Sequence, residues 1–464
     1  MLVNAIIEVL SPGVAVLSLL MILLAMEVIW IIYARKFHPL AGIPGPWLAS
    51  VSRLWVILKL HGGDMDIQQR QLHKTYGYLV RIAPNEIACS DPEAIQKLYR
   101  AQNPLTKTDF YPVWGSRVIS KYPDNFSGVD ERLHSQRRRI VNHVYSLSNV
   151  LQSEARIDRC TLILVDMFTR IAQNTDICDL GTWLQWYTFD VIGELFFGRM
   201  FGFLEKEEDH QMWIASLDDL MRGFCIVAVA PTYMRAIIFM SSLFDQTMRR
   251  ALRGAATIVS AARKAVNDRE ADLSVNDEGK VQQDLLQQLL HIHHEKGERV
   301  DFGIHEVQQE SYVALLAGSD TTAIAFRSVF YYLMKHRDVC RRLQAEIDSA
   351  AAWGNLSYPV QYAEAIKLPF LCACIKEALR VHPSVALTMP RLTPPGGMEL
   401  NGKYIPEGYR VGVNAAVVHF DRRIFGPDAD EYRPSRWLEP SAAARMEKYM
   451  IHFGGGTRTC IGKS

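Results

Sequence analysis

Residues Ile451 to Ser464 read I-H-F-G-G-G-T-R-T-C-I-G-K-S. Gly454, Gly455 and Gly456 carry no Cβ, so the backbone between Phe453 and Cys460 can turn tightly and lie close to a flat partner. Arg458, two residues before Cys460, favours a thiolate electrostatically and is placed to hold an anionic group on a ligand's edge. A glycine-rich turn beside an ordinary buried thiol is the competing reading, and the rest of the chain decides between the two.

Moving back toward the N-terminus, Pro434-Ser435-Arg436-Trp437 sets an arginine two residues after a proline. Met398 to Val413, with Asn401-Gly402 at its turn, predicts a hairpin. Glu377 and Arg380 are three apart on a helix predicted over Leu371 to Val381, which puts them on one face as an ion pair. Gln308 to Phe330 has an apolar helical pattern interrupted by Ala317-Gly318-Ser319-Asp320-Thr321-Thr322. Gly, Ser, Asp and Thr are weak helix formers, and the hydroxyls compete for backbone carbonyls. A local rule broken inside a core element points to function. The small Ala317 and Gly318 leave room for dioxygen beside the helix, and an acid next to an alcohol can relay protons to it.

Leu151 to Asn174, Trp183 to Phe197, Met212 to Arg222 and Gln282 to His291 read as amphipathic helices. Asn267 to Lys280 is polar and charged and reads as a surface loop. His291, His293 and His294 match no ligand spacing of a known site type, so they read as a polar helix end. In Phe126 to Ser146, His134 and Arg138 lie one helical turn apart on one face, with Arg137 and Arg139 directed outward toward an acidic partner. Leu79 to Cys89 reads as a short strand pair with Pro84 and Asn85 at the turn.

Val14 to Tyr33 is an apolar run long enough to cross a bilayer as a helix. Glu27 within it costs roughly 2.5 to 3.5 kcal/mol, against roughly 4 to 7 returned by about a dozen Leu, Ile and Val residues. Insertion wins, and Arg35 and Lys36 directly after the run place the following bulk on the cytosolic side. Three prolines from Pro39 to Pro46 then make a stiff, non-helical connector. The 464 residues, 49% of them hydrophobic, can bury a large core, and 51 basic against 50 acidic residues give no reason to expect a nucleic-acid partner. Eight scattered cysteines suit a reducing compartment, and no C-x-x-C-H is present for covalent haem attachment.

Spelled F-x-x-G-x-R-x-C-x-G, Phe453 to Gly462 resembles the haem-binding loop of the cytochrome P-450 family, and Ala317 to Thr322 resembles its A-G-x-D-T-T oxygen-activating motif. A thiolate such as Cys460 is the proximal ligand that pushes electron density toward O–O cleavage. The E-x-x-R of Glu377 and Arg380, followed by Arg436 of P-x-R, is similar to the family's structural network on the haem side of the core. The resemblance implies that Cys460 ligates the iron of haem b and that Asp320 and Thr321 deliver protons. It implies that Phe453, Gly454, Arg458, Arg138, His134 and Arg391 contact the haem or its propionates, His134 standing where the family has Trp in W-x-x-x-R. It further implies that Val385 and Leu387, with Ala317 and Gly318, face the substrate.

The implied fold is mainly α, a helical prism with a small β-rich lobe, preceded by one transmembrane helix. Its division is residues 1–33 as anchor, 34–46 as connector and 47–464 as catalytic domain. The implied activity is insertion of one atom of O2 into an apolar small molecule in fungal secondary metabolism or detoxification, with electrons from NADPH through a cytochrome P-450 reductase at the endoplasmic reticulum membrane. The stretch Leu79 to Trp114 is similar to the pisatin-demethylase-like fungal members. A haem-thiolate isomerase or dehydratase is the rival reading, and Asp320 and Thr321 argue against it. Family members continue past the cysteine into a helix packed on the haem and a final hairpin, whereas this sequence stops at Ser464. The expectation drawn from that difference is an incomplete or degraded copy that holds haem poorly.

Overall fold

Helix α1, Pro12–Lys36, is long and apolar enough to span a membrane, and its most apolar 18-residue stretch is not packed inside the protein. Its last turn is docked, with Trp30 Nε1 donating to Val51 O at 2.8 Å and the buried Arg81 donating to Ala34 O at 2.8 Å. A guanidinium against the terminal carbonyls also suits the negative end of the helix dipole. The computed structural model describes residues 12–116, 118–210, 212–275 and 284–464. The first residues of the predicted anchor therefore lie outside the described residues.

The proline-rich connector is non-helical, as its composition predicts, yet it is not a free tether. Leu40 and Ile43 are buried in a core shared with Leu79, Ile87, Val411 and Val413. Arg81 N donates to Pro44 O at 2.8 Å, and a Cβ on Gly45 would come within 2.3 Å of Arg81 O. Glycine is needed there so that connector and strand can touch.

The β lobe is one four-stranded sheet and one hairpin. In the sheet, β1 (Leu79–Ala83) pairs antiparallel with β2 (Glu86–Cys89), β2 pairs parallel with β6 (Arg410–Val413), and β6 pairs antiparallel with β3 (Arg391–Leu392). Only β4 (Met398–Leu400) and β5 (Lys403–Ile405) form the predicted hairpin, closed by Asn401 at φ 46 and Gly402 at φ 68. Positive φ at both central residues is the signature of a type I′ turn. The rest of the predicted hairpin leaves as β6 to pair with β2, some 320 residues earlier in the chain.

The helical layer holds α2 (Glu131–Val141), α3 (Leu180–Phe197), α4 (Trp213–Val229), α5 (Gln246–Val275), α6 (Leu285–Val300), α7 (Ile304–Lys335) and α8 (Pro369–Val381). Asp130, Asp179 and Asp284 cap α2, α3 and α6 by accepting from backbone N–H groups of the first turn. Phe189 of α3, Trp213 and Leu217 of α4, Ile258 of α5 and Leu315 of α7 bury one shared core.

Two sequence expectations change here. Helix α5 continues through Val275, so the first part of the predicted loop is helical; residues 276–280 of that loop, and 282–283 of the next predicted helix, lie outside the described residues. The segment is held by tertiary contacts its polarity did not reveal, Arg269 pairing with Asp284 at 2.9 Å and Gln308 donating to Asn267 at 2.9 Å. The A-G-S-D-T-T stretch does not break α7, because Ser319 and Thr321 return their hydroxyls to Leu315 O at 2.6 Å and Ala317 O at 2.7 Å within the helix.

Candidate active site

The terminal loop is shaped by its glycines. Gly454 and Gly456 adopt φ of +74° and +62°, and a Cβ on Gly456 would come within 2.3 Å of Tyr99 O. Cys460 N donates to Phe453 O at 2.8 Å, which closes the loop and leaves the thiol exposed. Desolvation by the loop pushes the thiol up, while the Gly462 N–H and the charges of Arg138 and Lys463 pull it toward the thiolate. Phe453 is also partly exposed, its ring tilted against that of His452 with centroids 4.4 Å apart.

Beside this loop the fold gathers cations from distant parts of the chain. His134 of α2 is buried, and its Nε2 has no hydrogen-bond partner. Burial and the charges of Arg458, Lys107 and Arg138 hold its pKa down to about 3, so the ring is neutral. Lys107 is buried over the rings of Tyr111 and Phe126, and burial with Arg391 and Arg458 holds it well below the usual lysine range. Arg391 is buried against Tyr99 and Tyr111 and donates to the Tyr111 hydroxyl. Among the described residues, no carboxylate lies within ion-pair distance of Lys107, Arg138 or Arg391. Lys107 and Arg391 are buried and Arg138 is half-buried, and cations withdrawn from water without a counter-ion favour an anion beside them.

Sequence reasoning missed Lys107. Its T-K-T-D-F-Y setting shows nothing locally, and it reaches the cluster through an isolated bridge to Arg391. Arg458 is present and makes three hydrogen bonds to Glu131, the shortest at 2.7 Å, with Nη1 in a longer one to Asn125 O at 3.4 Å. Arg137 does not face outward. It donates to Asp301 O at 2.7 Å and covers Phe302, tying α2 to the end of α6.

On α7, Ala317 and Thr321 share one face, with Thr321 held by Ser384 Oγ donating to its carbonyl at 2.7 Å. Val385 is exposed and Leu387 is half-buried against the β-lobe core. A Cβ on Gly318 would meet Ile192 Cδ1 at 2.8 Å. Its small size leaves room for Ile192 of α3 against α7. Asp320 accepts from Gln185 of α3 at 3.4 Å, and Gln185 in turn accepts from Arg327. Burial and the neighbouring Asp218 push the Asp320 carboxyl up, against the pull of Arg327.

Below the loop, Glu377 is fully buried between Arg380 and Arg436, each at 2.8 Å, and also accepts from Trp437 Nε1 at 2.8 Å. Arg380 spends its other N–H groups on the carbonyls of His419, Ala429 and Glu431. This network joins α8 to the segment before the Cys460 loop.

The Cytochrome P450 family pattern matches residues 44–464. The chain belongs to the cytochrome P450 family. It is 45% identical over 434 residues to the cytochrome P450 monooxygenase gsfF of Penicillium aethiopicum, covering 94% of this chain and 86% of that one. It is 38% identical over 327 residues to the cytochrome P450 monooxygenase ACRTS1 of Alternaria alternata, covering 70% and 86%. A pisatin demethylase of Fusarium vanettenii is 32% identical over 440 residues, covering 95% and 84%. This P450 is thus a fungal-type oxidoreductase of the monooxygenase class, using haem, O2, a substrate and a redox partner that supplies electrons. The residues present fit a haem: Cys460 offers a sulfur on an open loop, and the unpartnered His134 Nε2 with Lys107, Arg138 and Arg391 fits an anionic edge.

A further titrating group sits on α7 of this P450. Glu310 accepts from Tyr145 at 2.8 Å, and burial with nearby Asp124 raises its pKa to about 7, against the pull of Tyr145 and Arg137. Between its ordinary value of 4.5 and about 7 the folded state holds a proton that the unfolded state has lost. Stability should therefore fall as pH rises through that window, by up to about 3 kcal/mol. Thermal melts at both ends of the window should show this loss, and Glu310→Gln should narrow it; an unchanged difference in the variant would assign the effect elsewhere.

Proposed function

We propose that this P450 is anchored by α1 in the endoplasmic reticulum membrane with its catalytic domain cytosolic. It inserts one oxygen atom into an apolar small molecule in secondary metabolism or detoxification, and its electrons come from NADPH through a membrane-bound flavoprotein reductase. The similarity to fungal monooxygenases supports the metabolic setting. The membrane placement is supported by α1 and by the helix Thr232–Ser242, which buries no residue and exposes Tyr233, Ile237 and Met240.

The observation that carries the oxygenase reading is the acid–alcohol pair of α7. When bound, haem b with a thiolate ligand supplies the activation of dioxygen. Cys460 would hold the iron, and His134, Arg138, Arg391, Lys107 and Arg458 would hold the propionates, with Phe453 and Gly454 against the ring. Asp320, with its carboxyl pushed up by burial, keeps a proton to higher pH than an exposed aspartate does. Thr321 Oγ1 lies on the Ala317 face and donates to Ala317 O at 2.7 Å, and the Asp320 carboxyl, held on the α3 side by Gln185, would resupply its proton through water. Gln185 Nε2 donates to Asp320 at 3.4 Å and accepts from Arg327, which holds the Asp320 carboxyl in place. Ala317, Val385 and Leu387 offer an apolar lining to the substrate.

Thr321→Ala should leave haem and substrate binding intact while NADPH consumption is diverted from product to peroxide or water. Unchanged coupling of NADPH to product would remove Thr321 from the proton path. Incorporation of one labelled atom from 18O2 into product tests the oxygenase reading itself.

A further inference from the structure

Outside the haem site, α5 and α6 bring together three groups that sequence spacing does not connect. Glu270 lies near the end of α5, and His293 and His294 lie in the middle of α6. One ligating atom from each lies within 4.8 Å of the others. His294 Nε2 and Glu270 Oε2 are 3.1 Å apart. Zinc–nitrogen and zinc–oxygen bonds of about 2.0 to 2.2 Å in a tetrahedron put ligand atoms roughly 3.3 to 3.5 Å apart. One edge of such a site is therefore already near its bound length.

His293 is oriented as ligating histidines are. Its Nδ1 lies 3.1 Å from Phe302 O, and a carbonyl can only accept, so Nδ1 carries the proton and Nε2 keeps the lone pair. Gly297 makes this position possible, since a Cβ there would come 3.1 Å from Nδ1. His291 does not take part; it faces Glu295 on its own helix at 3.1 Å. The spacing of the three histidines does not show this grouping, because Glu270 comes from another helix.

We infer that Glu270, His293 and His294 bind one divalent transition-metal cation of the zinc type, with water completing the shell, and so tie the end of α5 to α6. Two imidazoles and one carboxylate suit zinc and its neighbours, whereas magnesium and calcium require mostly oxygen ligands. The site shares no residue with the haem site, so it is tested without reference to turnover.

The full chain, stripped with a chelator, is titrated with zinc against a chromophoric competitor, and with cobalt read by its visible absorption. One saturable equivalent is expected, with a rise in melting temperature on binding. Loss of an outer partner of a metal ligand costs roughly 10- to 100-fold in affinity, so loss of a ligand itself should exceed about tenfold. His294→Ala and Glu270→Gln, both at accessible positions, should each show that loss, and His291→Ala should not. The absence of saturable binding, a thiolate charge-transfer band in the cobalt protein, or unchanged affinity in either ligand variant would overturn the site and leave an ordinary His294–Glu270 ion pair.

Discussion

Cys460→Ser is expected to abolish the red-shifted Soret band that the reduced, CO-bound protein shows when thiolate ligates the iron. The substitution removes the sulfur and little else. The loop's turns are set by the positive φ of Gly454 and Gly456, and its closure is a backbone bond from Cys460 N to Phe453 O, which serine retains. Serine's hydroxyl cannot reach the anionic form that Gly462 N–H, Arg138 and Lys463 favour at the thiol. The cationic cluster of Lys107, Arg138 and Arg391 is untouched, so haem that still binds would show an altered spectrum rather than none. A histidine-type band in the unmutated protein would overturn the assignment of Cys460.

Glu377→Ala is expected to be the most destabilising single change among the site residues. It would strand Arg380 and Arg436, whose side chains are 0% and 2% exposed, without their counter-charge. Breaking a buried pair from one side costs roughly 3 to 5 kcal/mol, a large share of the about 5 to 15 kcal/mol that holds a domain folded. Burial alone would push the Glu377 carboxyl up, but the hydrogen bonds and charges of Arg380 and Arg436 hold it below the usual glutamate range. Its contribution is therefore present at neutral pH and is lost as pH falls through that lowered value. The adjacent Lys376 supplies the control: it pairs with Glu447 with both side chains about half exposed, and Lys376→Ala should cost roughly 0 to 1 kcal/mol. Thermal melts and limited proteolysis of the two variants measure the contrast, and similar melting temperatures would deny the network its structural role.

The residues that were legible before the structure are those whose meaning lies along one local element. The glycines and Cys460 share one loop, Glu377 and Arg380 one helical turn, Ala317 and Thr321 one helix face, and Asn401-Gly402 one turn type. Partners were not legible. Arg458 could be placed beside Cys460, but its pairing with Glu131 spans 327 residues. Lys107 joins the cluster only because the 107 segment is laid against Arg391.

Sequence by itself determined the apolar N-terminal helix, the connector's stiffness, the Cys460 loop, the E-x-x-R pair and the largely helical class, because backbone preferences and 3.6-residue periodicity act over a few residues. Tertiary structure alone decided that Gly318 serves α3–α7 contact, that β6 leaves its hairpin for β2, that Arg137 seals the end of α6, that α5 runs on to Val275 and that Glu270 meets His293 and His294. Each of those depends on which distant surface a side chain or strand edge meets. Close packing sets that choice over the whole molecule, and no local spacing encodes it.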